Sequence, residues 1–130
     1  MVRADFGDDN AWHEIERIAR SPVGPDGFLA SLAFLDDRSY EGVGPAEVLA
    51  LAHARYPHNF IVLADALSMS HPDHPVLVID LGEEPGRSFR AVPSALQSVE
   101  NNLSLANLDF VDFAEAAEAT TDKILHELTG

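Results

Sequence analysis

Two short apolar segments constrain this chain more than any other feature: FIVLADA at 60–66 and VLVIDL at 76–81. Each is rich in branched residues, lacks polar alternation and is flanked by turn formers. Such runs are predicted to be central strands. The link 67–75 is too short for a helical crossover, which predicts an antiparallel pair. Glu83-Glu84-Pro85-Gly86 has proline and glycine where a tight turn favours them, and 88–92 then adds a third strand to a meander.

A sheet of this kind needs apolar cover, and the flanking sequence supplies helical patterns. Asn10 is placed to cap a helix over 11–20, with Trp12, Ile15, Ile18 and Ala19 as its buried stripe. Ser21-Pro22 stops it before a turn-rich loop. Residues 28–35 are predicted to form a strand with Phe28, Ala30, Leu32 and Phe34 on one face, ended by Asp36-Asp37. Gly44-Pro45 opens a second helix with Val48, Leu51 and Ala52 inward. Pro93 ends the sheet, and Ser94 with Gln97 has the spacing of a capping box. The stretch 99–107 suits a helix or an edge strand. Asn107 or Asp109 then starts a helix whose Phe110, Phe113, Ala114 and Ala117 share one face. Thr121 is expected to cap a last short helix holding Ile124, Leu125 and Leu128. The expected architecture is a single α+β domain over 1–130. It has a mainly antiparallel sheet of about four strands, covered on one face by helices, with 1–9 as a loose acidic lead-in.

Composition narrows the function classes. Eight Lys and Arg stand against 22 Asp and Glu, a formal charge of -14. That balance excludes a simple phosphate-backbone binder, which needs a basic surface, and disfavours anionic lipid. No direct nucleic-acid or membrane partner is therefore expected. No apolar run reaches the ~18 residues of a membrane-spanning helix. Cysteine is absent, which excludes disulfides, thiol catalysis and thiolate metal sites. The first nine residues lack the basic and apolar regions of a signal peptide, so a cytoplasmic location is expected.

Three constellations carry candidate chemistry. His71-Pro72-Asp73-His74-Pro75 places two imidazoles and a carboxylate in one loop, with His53 and His58 upstream. His71, Asp73 and His74 are thus candidate ligands for zinc or nickel, set against a solvated polar turn. The acidic pairs Asp36-Asp37 and Glu83-Glu84 follow strands. Paired carboxylates suit acid–base work or a cation, but neighbours on a turn point apart. They also suit an acidic docking face for a basic partner. Arg87 and Arg90 suit a carboxylate or phosphate, or pairing with nearby acids. No serine lies in a G-x-S-x-G elbow, and no phosphate-cradling glycine loop occurs.

The words EEPGRSFRAVPS (83–94) and VENNLSLANLDFVDFAEA (99–116), with HPVLVIDL (74–81), resemble an uncharacterised actinobacterial family of small acidic proteins. The likeness covers roughly 28–118 and is most specific over 74–114. That family is a domain of unknown function and implies no catalytic residues. LSLANLDFVDFAEA also resembles the end of SUKH-type domains, where a short strand runs into a helix marked by two phenylalanines, here Phe110 and Phe113. The tryptophan- and glycine-rich middle of that group is not found here. Many SUKH-like domains are immunity proteins that neutralise toxins. The expectation is therefore a non-enzymatic acidic binding protein of immunity type, taking a basic protein partner and no cofactor. Asp36, Asp37, Tyr40, Glu41, Glu83 and Glu84 are its candidate contacts. The alternatives are a small regulatory homodimer and a metal-binding or enzymatic domain using the His71–His74 loop.

Overall fold

A computed structural model describes residues 1–21, 32–55, 59–104 and 109–126, with the backbone alone at 53–55 and 104. Five strands form one sheet in sequence order: β1 (Val2–Arg3), β2 (Phe60–Ala64), β3 (Val76–Asp80), β4 (Ser88–Ala91) and β5 (Ile124–Leu125). The helices among the described residues are α1 (Asp9–Ala19), α2 (Pro45–Arg55), α3 (Ala66–Ser70), α4 (Leu96–Ser104) and α5 (Phe110–Glu118).

The inner three strands are the expected antiparallel meander. Phe60 pairs with Asp80 and Leu63 with Leu77; Val76 pairs with Ala91 and Ile79 with Ser88. The link between β2 and β3 holds α3, a single turn capped by Asp65, whose carboxylate accepts from the Ser68 N–H. One turn reverses the chain without crossing the sheet, so the pairing stays antiparallel. The edge strands differ in pairing: β1 lies parallel to β2 and β5 parallel to β4. The sheet is mixed.

Alternation along the strands sorts side chains onto two faces. Val62, Ala64, Val76, Val78, Phe89 and Ala91 pack with Trp12 and Ile15 of α1, Leu96 and Val99 of α4, and Phe113 of α5. Phe89 lies 6.1 Å from Phe113, ring to ring, nearly parallel. Ile61, Leu63, Leu77 and Ile79 point the opposite way, against Val2, Ala4 and the α2 residues Val48 and Ala52. Helices therefore cover both faces, where one covered face was expected. The continuous apolar runs of β2 and β3 require this, because neither strand has a polar side to give to water.

Five local expectations are corrected. Residues 1–4, expected as part of a loose lead-in, are buried, and Val2–Arg3 extend the sheet beside β2. Asp8, not Asn10, caps α1, its carboxylate accepting from the Ala11 N–H. Residues 32–34 are not strand, Leu35 makes one parallel bridge to Val2, and the expected strand over 28–31 lies outside the described residues. Ile124 and Leu125 form β5 in place of a helix, while Leu128 lies outside the described residues. Gln97 also departs from its capping role. It is buried and donates to the Ala19 and Ser21 carbonyls, closing the C-terminus of α1 and tying α4 to it. The 99–104 stretch is helical.

Candidate functional site

The α2 sequence PAEVLALAHAR is apolar on more than one side. A helix of that kind usually has protein on most of its circumference. Here Val48 and Ala52 enter the core, while Leu51, expected to point inward, is 60% exposed. Ala46 and Ala50 are exposed as well. The helix thus carries apolar side chains that the described residues leave in water.

The chain leading into α2 builds the opposite wall. Leu35 bridges to Val2 at the sheet edge and is itself 46% exposed. One 3₁₀ turn follows over Arg38–Tyr40, capped by Asp37, which accepts from the Ser39 N–H at 2.9 Å. That bond holds the Asp37 carboxyl below its usual range, so it stays ionised. Gly42 then takes φ +78°, and its N–H donates to the Ala4 carbonyl at 2.8 Å. This left-handed corner, which favours glycine, turns the chain from Tyr40 into α2. The result is a groove of about 210 Å³ lined by Val2, Leu35, Tyr40, Val48, Leu51, Ala52 and Ile61. Its lining is apolar except for the Tyr40 hydroxyl.

Carboxylates border the groove along its connecting loop. Asp36 follows Leu35 and accepts from Arg3 at 3.2 Å. Arg3 is only 3% exposed and also binds Asp9 at 2.6 Å and the Asp5 carbonyl at 2.9 Å. Its guanidinium sits 4.3 Å from the Phe6 ring centre and 5.5 Å from that of Trp12. This buried cation anchors the 36–38 segment to β1 and α1. Its hydrogen bond and charge hold Asp9 below the usual carboxylate range. Glu41 pairs with Arg38 at 3.5 Å, both exposed, which is worth little energetically. Glu47 on the first turn of α2 adds a further carboxylate.

The structure brings Asp36, Asp37, Tyr40 and Glu41 together and separates them from Glu83 and Glu84. Asp36 follows the Leu35–Val2 bridge, beside the C-terminal end of β2. Glu83 and Glu84 follow β3, whose last residue pairs with the first residue of β2. The two acidic pairs therefore sit at opposite ends of the sheet. Asp80 shapes the second one, accepting from the Gly82 and Glu84 N–H groups at 2.8 and 3.0 Å. Glu84 pairs with Arg87 at 3.0 Å. Arg90 is occupied too, in a two-pronged bond to Asp65 at 2.8 and 2.7 Å. Burial raises the Asp65 pKa, but the Arg90 bond and charge outweigh it, and the net shift is downward.

The histidine loop does not converge. The His71 Nδ1 accepts from the Asp73 N–H at 3.0 Å, and the His74 Nδ1 lies 2.9 Å from the Ser68 carbonyl, to which it donates. Among the described residues no group of three His, Asp or Glu side chains is placed to hold a metal ion. The side chain of His53 and all of His58 lie outside the described residues. His74 instead borders a cleft with Glu14, Ser94 and His126. His126 Nε2 lies 2.7 Å from an Asp122 oxygen, and that bond is the main cause of an Asp122 pKa lowered to about 2.

Sequence reasoning missed Val2, Leu35 and the outward Leu51. The available signal was the excess of apolar residues in α2 over what one buried stripe uses. No described helix is long and apolar enough to cross a membrane. The chain belongs to a family described as a domain of unknown function (DUF6924), whose model matches residues 1–127. No curated protein and no solved structure matches the chain.

Proposed function

We propose that this family member acts by binding a basic protein, with no chemistry of its own, through the groove beside α2. One observation carries the reading: an apolar, water-exposed groove bordered by carboxylates on a body of charge -14. Binding faces concentrate lifetime in a few apolar or aromatic anchors, and Tyr40 and Leu51 are of that kind. Charge of one sign around them speeds encounter with a partner of the other. The finer form of the proposal is an immunity-type protein that covers the basic site of a toxin. The likeness of 103–116 to the end of SUKH-type domains supports that form. Self-association through the same face fits less well, because it would bring two acidic borders together.

The test begins with a basic protein encoded beside this gene, purified and recombined with the chain. Association rates are measured between 50 and 500 mM salt. The expected result is a fall on the order of tenfold or more, with dissociation little changed. Leu51→Asp is expected to speed dissociation by about tenfold. A complex indifferent to both salt and Leu51→Asp overturns the proposal. So does a dimer of this chain, seen by light scattering, that Leu51→Asp dissolves.

A further inference from the structure

We infer that the partner element received by the groove is a basic amphipathic helix and not an added strand, an inference that rests on the groove being the docking face. Extended peptides bind a sheet by pairing with free backbone groups at an edge, whereas helices bind through side chains alone. The edge beside this groove is already used. Arg3 N–H donates to the Leu35 carbonyl at 3.1 Å, Leu35 N–H to the Met1 carbonyl at 2.8 Å, and Gly42 N–H to the Ala4 carbonyl at 2.8 Å. Beyond Leu35 the chain turns at once into the 3₁₀ turn at Arg38–Tyr40, so among the described residues no extended outer edge continues there. What the groove offers is side chains.

Its size sets what enters. At about 210 Å³ it lies below the roughly 300–1,000 Å³ typical of small-molecule sites. It accommodates one or two large apolar side chains. The α2 wall is the i, i+3, i+4 ridge Val48, Leu51, Ala52, which spans about 6 Å, a little over one helical turn. A helix presenting two apolar residues three or four apart matches that length. The surroundings set the charge of its flanks. Asp36, Asp37, Glu41 and Glu47 stand against Arg38 and the buried Arg3, which already holds Asp36. Lys or Arg on either side of the apolar pair would meet carboxylates, and acidic flanks would be repelled.

The probe is a fluorescent 18-residue peptide of Leu and Lys in a helical period. Its control has the same composition in strict Leu-Lys alternation. Anisotropy is read with the intact protein at 100 mM salt. The helical-period peptide is expected to bind at least tenfold more tightly than its isomer. Leu51→Asp is expected to weaken it tenfold or more, although the change adds negative charge. Tyr40→Ala is a second, independent variant with the same expected direction. Glu83→Gln combined with Glu84→Gln, at the far end of the sheet, is expected to change binding less than threefold. Equal binding of the two peptides, or stronger binding of the alternating one, overturns the helix. If Leu51→Asp still weakens both, the docking face itself survives. Binding that tracks only the total charge removed, with no response to Leu51→Asp or Tyr40→Ala, overturns helix and face together.

Discussion

The two faces of the sheet are built to different standards. On one, α1, α4 and α5 bring Trp12, Ile15, Leu96, Val99 and Phe113 against alternate residues of β2, β3 and β4, and all five are almost fully buried. On the other, α2 covers Ile61, Leu63, Leu77 and Ile79 with Val48 and Ala52, and leaves Leu51 and Leu35 in water. The first face is finished by its own chain. The second is finished only enough to fold. Leu51 and Leu35 are the exposed apolar side chains on which the proposed docking face rests.

The contrast can be broken or sharpened experimentally. The largest stability effect belongs to the closed face. Phe113→Ala empties the site where α5 stacks on Phe89 of the sheet and should cost about 3–5 kcal/mol in urea unfolding. A loss below about 1 kcal/mol would show that this face is packed no better than the other. The next effect tests the anchor of the groove loop. Asp9→Asn with Asp36→Asn strips the buried Arg3 of both carboxylates and should lower stability measurably in urea unfolding. Arg3→Met should cost less, because the freed carboxylates are already largely in water. The reverse order would mean that the cation packs as a hydrophobe and not as a charge.

Acid should act through the clasp between β4 and the end of β2. Asp65 has a lowered pKa in the folded chain. Its contribution is therefore present above the unfolded value of about 4, and is lost as pH falls through the folded value. Wild type should lose stability more steeply than Asp65→Asn between pH 5 and 2. Parallel profiles would remove Asp65 from the acid limb. The smallest stability effect is expected at the open face. Leu51→Ser should change unfolding by less than about 0.5 kcal/mol while weakening partner binding tenfold. A large loss of stability would make Leu51 a core residue after all.

Much of the fold is legible in the sequence because it rests on local period and chain length. The β2–β3–β4 meander follows from two apolar runs with short links, and α5 from Phe110, Phe113, Ala114 and Ala117. The edge strands are not legible. Val2–Arg3 and Ile124–Leu125 are two residues each, too short for any period, and partners distant in sequence define them. The same limit applies to Gln97, whose spacing from Ser94 suggests a local cap but whose amide serves the end of α1. Of the candidate contacts, Asp36, Asp37, Tyr40 and Glu41 fall together because they are near in sequence. Glu83 and Glu84 fall away from them because strand direction separates the two turns.

Composition alone makes this an acidic chain with no thiol chemistry, and its apolar runs alone place two central strands. Those properties are sums and periods, and need no knowledge of what touches what. Which side of α2 meets the sheet is a different kind of fact. Val48, Leu51 and Ala52 are equally suited to a core by residue type and spacing. The approach of β1, Leu35 and the Gly42 corner leaves room for two of them and puts the third in water. Tertiary contact decided that, because burial depends on the shape of the neighbouring surface as well as on the side chain.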